Sequence, residues 1–142
     1  MERRTLGFWI VTGLFVAMMS FSGTAHLFRL APVVEGMTHL GYPAYVMTIL
    51  GVAKLLGVGV VLMPGRPLLK EWAYAGFTFN LLGATASHAF SGDPIAEVLP
   101  PAVVLLLGLA SYALRPASRR ISSPDPSAAS AGSQPVANVE ES

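Results

Sequence analysis

Two apolar segments, at 44–63 and 68–90, meet at a turn of Pro64, Gly65, Arg66 and Pro67. Each is close to the roughly 20 residues that a helix needs to cross hydrocarbon. Neither alternates apolar and polar residues as a half-buried strand would, so both read as helices. Each arm holds one polar residue near its middle, Lys54 and Asn80. The two are symmetric about Pro67, so an antiparallel hairpin puts them at one depth and makes Asn80 the natural partner of Lys54. A lysine at the centre of a bilayer costs roughly 2.5–3.5 kcal/mol, and such residues usually face the interior of a bundle.

Composition agrees with lipid as the solvent. The 142 residues are 53% hydrophobic and only 12% charged, against about 25% charged in soluble domains. A soluble domain of this size has too little interior to hide that much apolar surface. Two more apolar segments flank the hairpin, at about 5–23 and 95–114. The first is preceded by Arg3 and Arg4 and could be read as a secretory leader ending near Gly23 to Ala25. The length of its apolar run, and the three apolar segments that follow, favour a retained span. The second opens with Glu97, Pro100 and Pro101, where prolines early in a helix are expected to cost little. The fold class is therefore all-α, an integral membrane four-helix bundle over residues 1–115. Residues 116–142, rich in Ser, Pro and Ala, are expected to be a disordered tail.

Arg3, Arg4, Arg66, Lys70, Arg115, Arg119 and Arg120 fall on one side of such a bundle, and only Arg29 on the other. The positive-inside rule then places both termini in the cytoplasm. His26, Glu35, His39, His88, Asp93 and Glu97 fall toward the opposite end. Their spacing matches no metal motif, and they read as interfacial polar residues, so no metal site is expected. His88 lies two turns beyond Asn80 on nearly the same face. Trp72 and Tyr74 read as aromatic-belt anchors. Gly76, Asn80, Gly83, Ala84 and Ser87 read as one small, polar stripe, an inward or helix-packing surface, with Phe77, Phe79, Leu81 and Leu82 partly outward. Gly51, Gly57 and Gly59 read as positions of close helix approach. No cysteine is present, which excludes dithiol redox chemistry and thiolate metal ligation by this chain.

The stretch Leu40–Asp93 resembles the DoxX-like family of small four-helix membrane proteins. The resemblance is carried by Leu-Gly-Tyr-Pro at Leu40 to Pro43, Ile-Leu-Gly-Val-Ala-Lys-Leu-Leu-Gly at Ile49 to Gly57, and Lys-Glu-Trp-Ala-Tyr-Ala-Gly-Phe at Lys70 to Phe77. Gly-Ala-x-x-Ser-His at Gly83 to His88 and Gly92-Asp93 complete it. It implies a multi-pass protein of the bacterial inner (plasma) membrane. Broader relatives include small subunits of quinone-linked oxidoreductases and proteins tied to thiol stress or membrane-protein assembly. Where the family pattern leads one to expect an aspartate, this chain has Asn80. The resulting expectation is a redox-accessory subunit that binds a quinone-like lipophilic molecule between its spans through Lys54, Asn80 and His88. It is not expected to be an enzyme on its own, and no catalytic residue is assigned. The alternatives are an assembly factor or structural partner of a larger complex and, further off, a small carrier. The expected partners are the lipid bilayer and a membrane protein or a second copy of the chain, but no nucleic acid.

Overall fold

The computed structural model describes residues 2–122. It holds five α-helices: α1 (Arg3–Leu27), α2 (Ala31–His39), α3 (Ala44–Leu62), α4 (Pro67–Phe90) and α5 (Ile95–Leu114). A single 3-10 turn follows at Ala117–Arg119, and there is no strand among the described residues. Three helices, α1, α3 and α5, are long and apolar enough to cross a membrane. α4 is 24 residues long but is diluted by Lys70, Glu71, Asn80 and His88.

Helix ends follow the backbone chemistry. α1 stops where Arg29 takes a left-handed φ of 50°, and Pro32 then fits the first turn of α2, where no amide donor is required. Gly41, at φ 77°, turns the chain into α3. Gly65 and Arg66, both left-handed, form the α3–α4 turn, and Pro67 opens α4. Pro100 and Pro101 stand at the sixth and seventh positions of α5. They are past the first turn, so the carbonyls of Ala96 and Glu97 lose their i+4 donors, contrary to the expectation that these prolines cost little.

The four long helices form a ring of neighbours in the order α1, α3, α4, α5 and back to α1, while α2 packs mainly against α1 and α3. Short turns join α3 to α4 and α4 to α5, which makes those neighbours antiparallel. The core is Phe15 and Met19 from α1, Val58 and Val61 from α3, Tyr74, Phe77 and Leu81 from α4, and Val104 from α5. The Phe15 ring meets Phe77 edge-on at 5.2 Å. This packing divides the α4 stripe: Asn80, Gly83 and Ala84 line a cavity between the helices, but Phe77 and Leu81, expected partly outward, enter the core. Phe77 and Leu81 are buried, while Gly76, Phe79 and Leu82 are exposed. Bulky apolar side chains, not the small ones, fill the space between the helices.

Close approach occurs at Gly51 and Gly57, as expected, and also at Gly23 and Gly108. A Cβ at Gly51 would meet the Gly23 carbonyl oxygen at 3.0 Å and the Leu27 side chain closer still, so α1 and α3 touch backbone to backbone there. A Cβ at Gly57 would press on Phe77 and one at Gly108 on Phe15, whereas Gly59 faces open space.

One end of the ring gathers the basic residues. Lys70 is 1% exposed, and its ammonium donates to the carbonyls of Met63 and Gly65. Arg119 Nη1 donates to Val61 O at 2.8 Å, and its guanidinium lies 4.7 Å from the Trp9 ring. Arg115 pairs with Glu71 at 2.8 Å and stacks 3.9 Å over Tyr112. Tyr74 is not a belt residue. It is 4% exposed and shares a buried hydroxyl chain with Ser111 at 2.7 Å and, through it, Thr12 at 2.6 Å. The tail expected at 116–142 lies outside the described residues from residue 123 on.

Candidate functional site

Opposite the basic end, α1 to α5 surround a cavity of about 870 Å³ that is partly open to the outside. Lys54, Asn80 and His88, singled out from the sequence, all line it. The symmetric register about the α3–α4 turn accounts for the first two, and the two-turn offset along α4 adds the third. Most of the rest of the wall is apolar, with Met18, Met19, Leu50, Leu81 and Val104 among its residues.

The expected pairing of Lys54 with Asn80 does not form. Lys54 is 7% exposed, and its amine reaches back to α1. It donates to Ser22 Oγ at 3.0 Å and meets His26 Nε2 at 3.4 Å. His26 Nδ1 lies 2.7 Å from the Ser22 carbonyl oxygen. A carbonyl only accepts, so Nδ1 carries the proton and Nε2 is left as the acceptor for Lys54. Ser22 and His26 are one turn apart on α1, and Gly23 between them lets α3 come close enough for the lysine to reach both. His26 is thus half-buried at the site and is not a headgroup residue. The i, i+4 spacing of Ser22 and His26 on one helix face was the available signal. No carboxylate lies within ion-pair distance of Lys54 among the described residues.

The outer rim is tied by side chains. Asp93, in the α4–α5 turn, accepts from His39 Nε2 at 2.6 Å and from His88 Nδ1 at 2.7 Å. Tyr42 OH and Ser87 Oγ lie 2.7 Å apart. These contacts link the end of α2 and the start of α3 to α4 across the cavity mouth. The bond from His88, and then that from His39, hold the Asp93 carboxyl below its ordinary value. No group of three or more His, Cys, Asp or Glu is arranged to hold a metal ion among the described residues. Glu97 lines the cavity.

A model of the DoxX-like family matches residues 10–111, a stretch that takes in the whole cavity. The chain belongs to the DoxX-like family. No curated protein and no solved structure matches it. In this DoxX-like chain the matched stretch ends at Ser111, so the basic end at Arg115, Arg119 and Arg120 lies beyond it.

Proposed function

We propose that this DoxX-like chain is a four-span protein of the inner membrane, with both termini cytoplasmic, that binds a quinone-like lipophilic molecule between its spans as a redox-accessory subunit. The observation that carries the reading is the cavity with Lys54 in its wall. A volume of about 870 Å³ falls in the range of small-molecule sites, about 300–1,000 Å³, which are mostly apolar with a few placed polar groups. Lys54 and Asn80 supply donors for a carbonyl oxygen, and His88 sits at the rim on the path to Asp93. The placement of basic residues at one end of the ring supports the orientation. The chain holds no cysteine, so electrons would come and go through a partner.

The test is titration of the purified, delipidated protein with a short-chain quinone analogue, followed by calorimetry. Saturable binding that Lys54→Met weakens at least tenfold, at an equal or higher melting temperature, is the expected outcome. Absence of binding to the native protein sinks the reading.

A second reading, a structural partner in a larger membrane complex or a homo-oligomer, has its own support. At Gly76 an added Cβ would meet nothing within 4 Å, and that exposed part of α4 is a surface that a partner helix can approach closely. Cross-linking in native membranes that recovers only monomer counts against it.

A further inference from the structure

The buried amine at Lys54 defines the head group that this cavity selects. We infer that the cavity takes a lipophilic acid, an apolar chain ending in a carboxylate, with the carboxylate at Lys54 and Ser22. The inference rests on the reading that the cavity is a ligand site, and it replaces a neutral carbonyl head with an acidic one.

Three observations converge on it. Lys54 is 7% exposed, yet its partners, Ser22 Oγ and His26 Nε2, are uncharged acceptors. The Ser22 carbonyl holds a proton on His26 Nδ1, and the imidazole, neutral or protonated, supplies no negative charge. The ion pairs among the described residues are His39–Asp93, His88–Asp93 and Arg115–Glu71, and none includes Lys54. The carboxylate on the cavity wall, Glu97, stands at the first turn of α5 and makes no such pair. A buried ammonium without a counter-ion is costly, and supplying the missing anion is the change that lowers that cost most.

A carboxylate does this in one of two balanced ways. A neutral acid transfers its proton to the neutral amine, or the charged forms meet directly. In both cases the cavity ends with one carboxylate, one ammonium and no net charge. Lys54 has three N–H bonds once protonated, of which two point at Ser22 and His26; the third is free for the ligand. The Ser22 hydroxyl accepts from Lys54 and still has its own proton to donate. The head group therefore meets two donors one bond apart. A neutral quinone carbonyl uses the same donors but leaves the charge uncompensated. The apolar wall, with Met18, Met19, Leu50, Leu81 and Val104, accommodates the chain.

The experiment compares three probes on the delipidated full-length protein: palmitate, its methyl ester, and a short-chain quinone. Palmitate and its ester share a tail and differ in charge. The expected result is palmitate at least tenfold tighter than the ester. Lys54→Met should reduce palmitate to the affinity of the ester while leaving the ester unchanged, and Lys54→Arg should keep the preference for the acid. Ser22→Ala, which removes one donor without touching the amine, should weaken palmitate severalfold and the ester not at all. Ester binding as tight as palmitate overturns the inference, even if both bind. Quinone binding without palmitate binding also overturns it but leaves the quinone-like reading standing. If the native protein binds none of the three, both readings fall.

Discussion

At Lys54 the chain accepts a cost of roughly 2.5–3.5 kcal/mol if the lysine lies at the centre of a bilayer. Two neutral acceptors on α1 offset part of it. Lys54→Met removes the cost and leaves Ser22 and His26 bonded to each other through the carbonyl contact. The expected outcome is equal or higher thermal stability in detergent together with lost ligand binding, read by melting curves and titration on one sample. Asp93 gives a second prediction at this scale. Its carboxyl is held below the ordinary value by His88 and His39, so the folded state takes up the proton less readily than the unfolded one. That contribution is fully present above the ordinary aspartate value of about 4 and is lost as pH falls through the lower folded value. Asp93→Asn should therefore melt below the native protein at neutral pH, and the gap should close below about pH 4. A gap independent of pH would deny the carboxylate this role. Lys54 and Asn80 were legible as same-depth residues because the turn fixes a hairpin register. Their not bonding was not legible, because Lys54 is 28 residues from His26 and no spacing rule reports which helix packs beside α3.

Helix limits were readable from the punctuation. The expected segments at 44–63, 68–90 and 95–114 correspond to helices Ala44–Leu62, Pro67–Phe90 and Ile95–Leu114. Pro and Gly end each of them, and no other residue type leaves so clear a mark. α1 runs from Arg3 to Leu27, longer than the expected 5–23, since Gly23 and Ser22 are tolerated inside a helix that packs closely. Which face of each helix turns inward was less readable. In a chain whose outside is also apolar, periodicity no longer separates core from surface. For this reason Phe77 and Leu81, expected partly outward, are core residues, and Gly59, grouped with Gly51 and Gly57, faces open space. Two substitutions separate the cases. Gly51→Ala forces a Cβ to 3.0 Å from the Gly23 carbonyl oxygen and should cost about 1–3 kcal/mol, the usual penalty of overpacking. Gly59→Ala adds a methyl group into open space and should be neutral or stabilising by up to about 1 kcal/mol from helix propensity. Chemical or thermal unfolding of the two variants side by side makes the comparison. Equal losses would mean that α1 and α3 do not meet at Gly23.

On the scale of the whole molecule, the two ends of the ring are chemically unlike. One carries Lys70, Arg115, Arg119 and Arg120 on carbonyls, a carboxylate and aromatic rings. The other carries the Asp93 pair of histidines and the mouth of the cavity. If both termini are cytoplasmic, as proposed, a cysteine placed at Gly65 in this cysteine-free chain should react with a membrane-impermeant maleimide only after the membrane is permeabilised. One placed at Ser91 should react from the outside in intact cells. The reverse pattern would invert the proposed orientation.

The basic end also bears on how such an experiment can be built. Arg119 holds the Val61 carbonyl at the end of α3, Lys70 holds that of Met63 just past it, and Arg120 and Arg4 hold Ala113 O at the end of α5. The residues that would steer insertion are therefore the same atoms that close two helix ends. Deleting them to flip the protein would also fray those ends, and loss of function would have two causes at once. A clean inversion has to leave this end intact and outweigh it, by adding lysines beside Arg29 at the far end until the balance of charge reverses.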